Sequence, residues 1–228
     1  AIEDVRIAQR RIAKFVEMIS SYEGTRFASN TSLFHATSSD IDFDEFLTEI
    51  EGKFSVIVGP TGVGKSVFIE QLIKHACFNN LTLAVSLETE WMIEASIKEN
   101  ILLGAPEDEP QLRRILKACS LWDEFTVLPG SLDYNVGYEG GNISGGQRQR
   151  LSIARMLYHS HQYNLFVFDR FLHGINNELS MELFATLREL LSEKTVLLVT
   201  NDRNIIEQCD LKITISSEQS GYSIERIG

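Results

Sequence analysis

Residues 54–66 read FSVIVGPTGVGKS, an apolar run that passes without interruption into a loop with glycine at 59, 62 and 64, and then into Lys65 and Ser66. Few sequence features restrict a fold as severely. A strand has to deliver its end into a loop bent through conformations that only glycine adopts cheaply, and a helix has to start directly after it, so strand, loop and helix come as one unit. Such a loop turns successive backbone N–H groups inward, and the helix N-terminus adds the positive end of its dipole, which together make a cradle for phosphate. The pattern gives Lys65 the β- and γ-phosphates to neutralise and Ser66 a hydroxyl for Mg²⁺. The backbone of Gly59, Thr61, Gly62, Val63, Gly64 and Val67 completes the wrap.

Downstream the chain alternates. Apolar runs at 54–58, 81–85, 165–168, 196–199 and 211–215 predict strands, and helical patterns fall at 65–78, 109–120, 144–158, 177–191 and 203–207. That order places helices over a largely parallel sheet. The stretch 89–158 carries helix signals and few strand signals, which predicts a mostly helical subdomain inserted between core strands. At the front, Val5, Ala8, Ile12, Phe15 and Ile19 recur three or four apart with charges between them, the spacing of an amphipathic helix. A chain of 228 residues suffices for one α/β domain with such a subdomain.

Composition narrows the partners. Lys and Arg number 21 against 32 Asp and Glu, a net charge of −11 that repels nucleic-acid backbones at long range, so no nucleic acid is expected and any phosphate must be held locally. The three cysteines have no CxxC spacing, which argues against a disulfide framework or a zinc site and fits a reducing cytosol. No run approaches the roughly 18 apolar residues of a membrane-spanning helix.

A second anchor is YNLFVFD at 163–169, an apolar strand ending in the Asp169 carboxylate, as needed to hold Mg²⁺ partly through its water shell. Just upstream lies NISGGQRQR at 142–150, opening the helix LSIARMLYHS. With the glycine loop before it and Asp169 after it, this stretch resembles the signature motif of ABC ATPases. The resemblance implies a P-loop NTPase fold with an ABC-ATPase core, a mainly parallel sheet with flanking helices plus an antiparallel β portion, and an inserted helical signature subdomain. It also implies ATP and Mg²⁺ as cofactors, with Ser144, Gly145, Gly146 and Gln147 facing ATP held by a different cassette.

Finer features look like the multidrug-resistance-associated subfamily. WMIEASIKENILLG at 91–104 and LPGSLDYNVGYEGGNISGGQRQR at 128–150 are similar to its corresponding segments, and VRIAQRRIAKFVEM resembles the linker after its last membrane helix. On this basis residues 1–28 are expected to be a linker helix following a membrane domain, and 29–228 the nucleotide-binding domain. Phe34 stands at the distance from Gly59 where this family stacks an aromatic ring on adenine.

The chain also departs from a working ATPase. In a competent cassette Asp169 is followed by Glu, which polarises the attacking water. Here Arg170 follows, and a guanidinium accepts no proton at any relevant pH. The switch histidine position holds Asn201, the D-loop aspartate aligns with Asn176, and the glutamine before Trp91 aligns with Glu88, which would add a carboxylate near Mg²⁺.

These replacements fall on catalysis and interdomain signalling while the loop, Asp169 and the signature are intact. The resemblance therefore implies the first, degenerate cassette of a polypeptide with two, on the cytosolic face of a membrane, binding MgATP with little turnover of its own. Its partners would be a second nucleotide-binding domain and the transmembrane domains of the same transporter. A nucleotide-sensing regulatory cassette of a channel or receptor is the competing expectation. ABC-type ATPases of DNA repair would need a long coiled coil between loop and signature, which this sequence lacks.

Overall fold

The computed structural model describes residues 41–79, 81–86, 91–169, 175–216 and 221–227. The expected linker helix and Phe34 lie outside the described residues, as do Glu88 and Arg170.

The strands are β1 (Phe54–Val58), β2 (Leu83–Ser86), β3 (Leu165–Phe168), β4 (Thr195–Val199), β5 (Leu211–Ser216) and β6 (Gly221–Arg226). They form one sheet in the order β2-β3-β4-β1-β5-β6. Neighbours from β2 to β5 run parallel, and β6 closes the edge antiparallel to β5. This is the expected mixed α/β arrangement. β1, β3 and β4 are buried along nearly their whole length, which is why they read as continuous apolar runs rather than alternating ones.

The helices are α1 (Phe43–Ile50), α2 (Lys65–Phe78), α3 (Ile97–Leu102), α4 (Glu109–Ala118), α5 (Trp122–Thr126), α6 (Gly145–Tyr158), α7 (Asn177–Leu190) and α8 (Arg203–Ile206). Most begin on a side chain that accepts from an otherwise unpaired backbone N–H. Asp42 caps α1, Asp108 caps α4, Asn176 caps α7 and Asp202 caps α8. Ser96 with Glu99, and Ser144 with Gln147, form reciprocal capping boxes at α3 and α6. Phe166, Phe168, Phe184, Ile57 and Leu72 are among the fully buried side chains, each contributing about 1.5–3 kcal/mol by leaving water.

Several expected boundaries shift for local reasons. The strand expected from residue 81 begins at Leu83, because the Leu81 N–H is used at 3.0 Å by the Ala76 carbonyl to finish α2. The helix expected to reach 120 stops at Ala118, where Ser120 turns left-handed at φ 52°. Ser144 is the cap of α6 rather than its first residue. α1, α3, α5 and β6 were not anticipated as elements, although α3 and α5 fall in the 89–158 stretch expected to be mostly helical.

The order of strands places the site. The register pairs Ile57 with Val199 and Phe168 with Leu198, so the carboxyl ends of β1, β4 and β3 lie side by side. The chain leaves β1 towards the β2 edge and leaves β4 towards β5, on opposite sides of their shared boundary. Open α/β sheets bind ligands at such switch points.

Candidate functional site

The glycine loop stands at the carboxyl end of β1. Gly59, Gly62 and Gly64 take φ of 150°, 84° and 104°, and Gly64 in its left-handed conformation starts α2. At Gly59 the need for glycine is also steric, since a Cβ there would lie 2.8 Å from the Ile215 carbonyl oxygen and 3.1 Å from Val63 Cγ1. Val63 is buried beneath the loop, while Thr61, Gly62 and Ser66 are exposed and Val67 is half-buried. Lys65 Nζ donates back to the carbonyls of Gly59 at 2.7 Å and Pro60 at 2.8 Å, drawing the ammonium over the loop.

Asp169 directly follows β3, and its N–H is held by the Ser86 carbonyl of β2 at 2.9 Å. Ser66 Oγ donates to Asp169 Oδ2 at 3.4 Å, so residues 103 apart in sequence meet across the strand between them. Hydroxyl and carboxylate oxygens are hard donors suited to Mg²⁺, which takes a few protein oxygens and fills its remaining positions with water or phosphate. Among the described residues no group of three or more His, Cys, Asp or Glu side chains gathers to hold a metal. Asn201 is exposed two residues after β4, and Asn176 Oδ1 accepts the Leu179 N–H at 2.9 Å as the α7 cap.

The 144–147 turn is a separate centre at the N-terminus of α6. Ser144 Oγ accepts the Gln147 N–H at 3.1 Å, and Gln147 Oε1 accepts the Ser144 N–H at 2.9 Å. Ser144 and Gly145 are exposed, with Gly146 half-buried. Behind them Glu124 of α5 accepts from Gln147 Nε2 at 2.8 Å and, on both oxygens, from the Arg150 guanidinium at 2.7 and 3.1 Å. Burial acts to raise the Glu124 carboxyl, but the Arg150 and Gln147 bonds and the Arg150 charge more than offset it, leaving the group below its ordinary value.

The other end of α6 grips the segment after β2. Arg155 donates to the carbonyls of Asn100 at 2.6 Å and Trp91 at 2.9 Å, and to Asn100 Oδ1 at 2.9 Å. Its guanidinium lies 5.3 Å from the Trp91 ring centroid. Burial lowers its pKa to about 10, with the Tyr163 phenol acting the other way. Glu124 carries no signal in the sequence, and although Arg150 and Arg155 stand in the stretch that resembles the signature, nothing there marks their partners.

Similarity to known proteins shows the family to which this arrangement belongs. No protein-family model matches the chain. It is 31% identical over 180 residues to "ATP-binding cassette sub-family C member 3" of Rattus norvegicus, covering 74% of this chain and 12% of that protein. It is 33% identical over 172 residues to "Multidrug resistance protein fer6" of Mycosarcoma maydis, covering 72% and 13%. The chain belongs to the ABC transporter family. A third relative is "ATP-binding cassette sub-family C member 2" of Homo sapiens, 29% identical over 202 residues, covering 82% of the cassette and 13% of that protein. The cassette thus spans about an eighth of the curated relatives it matches. Its fold is also that of a bacterial Atm1-family ABC exporter solved with ATP bound, with a TM-score of 0.65 and 21% identity, covering 73% of this chain and 32% of that one. Among the described residues no helix is long and apolar enough to cross a membrane.

Proposed function

We propose that this cassette binds MgATP as one half of a pair in a membrane transporter, on the cytosolic face, and that its own half-site does not hydrolyse what it holds. The single observation that carries this reading is the meeting of Ser66 and Asp169 at 3.4 Å beside the glycine loop, with an arginine next in sequence where a base would be needed. Backbone N–H groups and the dipole of the 14-residue α2 suit the phosphates, and Lys65 offers a cation that would exchange carbonyl partners for phosphate oxygens.

Bound Mg²⁺ would neutralise phosphate charge, with Ser66 and Asp169 as its protein donors and Glu88 as a further carboxylate. Arg170, Asn201 and Asn176 leave the half-site without a proton acceptor of the kind hydrolysis needs. Phe34 is assigned to the face of the adenine.

The 144–147 turn serves the other half of the pair. In this reading Ser144, Gly145, Gly146 and Gln147 cap ATP held by a second cassette, whose site does the hydrolysis, and transmembrane domains of the same protein convert closure into movement of substrate. Calorimetry tests the first step. Lys65→Ala is expected to weaken MgATP binding to the chain by about 1.5–3 kcal/mol, the worth of a charge-assisted contact. An unchanged affinity would remove Lys65 from the site.

A further inference from the structure

We infer that Glu124 is a positioning residue for the 144–147 turn, fixing through Gln147 which way Ser144 presents its hydroxyl to a phosphate; this rests on the reading above that the turn faces ATP of a partner cassette. An ionised carboxylate only accepts, so the Gln147 group facing Glu124 Oε2 at 2.8 Å has to be the amide NH₂. The opposite end of that carboxamide is then necessarily its oxygen. This oxygen faces the Ser144 N–H at 2.9 Å, which closes one half of the capping box.

The other half fixes the serine. Ser144 Oγ accepts the Gln147 N–H at 3.1 Å, so its remaining capacity includes its own O–H, on an exposed residue at the start of a 14-residue helix. An O–H donor beside the first N–H groups of a helix is suited to an anion.

Glu124 would be a poor neighbour for phosphate if its charge stood alone. It does not: Arg150 pairs with both of its oxygens, donates through Nη1 to the Ser120 carbonyl at 2.6 Å, and through Nε to the Gly146 carbonyl at 3.1 Å. The pair therefore offsets the charge and holds the turn from behind at Gly146 and Gln147. Glu124 stands on α5, and nothing in the spacing of α5 and α6 along the chain marks the two as partners.

Glu124→Gln changes little in shape and reverses the logic. One oxygen then replaces two that served three donors. At the Oε1 place it keeps Arg150 Nη1 and turns the new NH₂ against the Gln147 NH₂, which reverses and presents its own NH₂ to the Ser144 N–H, breaking the capping box; at the Oε2 place it keeps Gln147 and Nη2 but sets the new NH₂ against Nη1, so the carboxamide that orients Gln147 loses its hold on the guanidinium.

The experiment is steady-state ATPase of the full-length protein in lipid, titrated with MgATP. Glu124→Gln is expected to raise KM about three- to tenfold, the range set by one net hydrogen bond, with kcat largely retained. In a Gln147→Ala background the same substitution is expected to have a much smaller effect, limited to what Arg150 carries to the Gly146 carbonyl, because Glu124 acts mainly through Gln147. Equal effects in both backgrounds would show a general structural role and overturn the inference. Glu124→Asp guards against misfolding, since it keeps the charge beside Arg150 and shortens the reach to Gln147; it too should raise KM. Unchanged KM in both variants, with Ser144→Arg still abolishing turnover, overturns the role of Glu124 alone. Full turnover in Ser144→Arg overturns the underlying reading of the turn, and the inference with it.

Discussion

Alanine at Gly59 and alanine at Gly62 are the same chemical change in the same loop, yet the structure assigns them different costs. At Gly62, φ is 84° and an added Cβ meets nothing within 4 Å, so only the left-handed backbone is penalised, by about 1–2 kcal/mol. At Gly59, φ is 150° and the Cβ would lie 2.8 Å from the Ile215 carbonyl oxygen. That carbonyl belongs to β5, which pairs with β1 on one side and β6 on the other and has little room to retreat. Backbone strain of about 1–3 kcal/mol is joined by overpacking of about 1–3 kcal/mol. Gly59→Ala should therefore destabilise by about 2–6 kcal/mol, clearly more than Gly62→Ala. Denaturant unfolding of the chain would read this as a lower midpoint at constant m-value. Equal midpoints for the two variants would refute the argument that the loop is held against β5.

Two further outcomes follow from single residues. His159 is buried, with Nε2 bonded to the Ile101 carbonyl at 3.0 Å, and burial, aided by the His161 and Arg155 charges, holds it below its ordinary value of 6.5 against the pull of the Ile101 and Leu102 carbonyls. As pH falls through that ordinary value the unfolded chain takes the proton first, so this contribution to stability is present above it and is lost on acidification, by up to about 1.4 kcal/mol per pH unit; His159→Gln should flatten the unfolding midpoint across that window, and an unchanged slope would count against it. Stacking on Phe34 tolerates different bases, so ATP and GTP should bind alike and Phe34→Ala should cost about 1–3 kcal/mol in calorimetry; a strong preference for ATP would argue against stacking as the main contact.

What the sequence disclosed depended on how local each cause was. α2 and β3 fall at the expected residues, because a glycine loop starts one and an uninterrupted apolar run defines the other. α1 was missed although Phe43, Phe46 and Ile50 share a face and Asp42 caps it, because acidic residues crowd the segment and hide a short apolar stripe. β6 was missed because Tyr222 and Ile224 are its main apolar residues, enough for an edge strand and too few for a pattern. At the site, Ser66 and Asp169 were legible because each ends a recognisable strand-and-loop unit. Glu124, Arg150 and Arg155 were not, since their partners are set by how α5 and the 91–100 segment pack on α6, which no spacing along the chain encodes.

The central claim is that this cassette binds nucleotide in its own half-site and completes a working site elsewhere. Steady-state ATPase of the purified full-length protein in lipid, with two substitutions compared, tests it most directly. Ser144→Arg places a bulky cation where the turn should cap a partner's ATP, and hydrolysis should be abolished. Arg170→Ala alters the half-site proposed to lack a base, and most of the rate should survive. Restoring Glu at 170 alone should add little, because Asn201 and Asn176 remain and catalytic groups acting as a unit are non-additive. Full activity in Ser144→Arg together with loss of activity in Arg170→Ala would contradict the account and place the working site in this cassette.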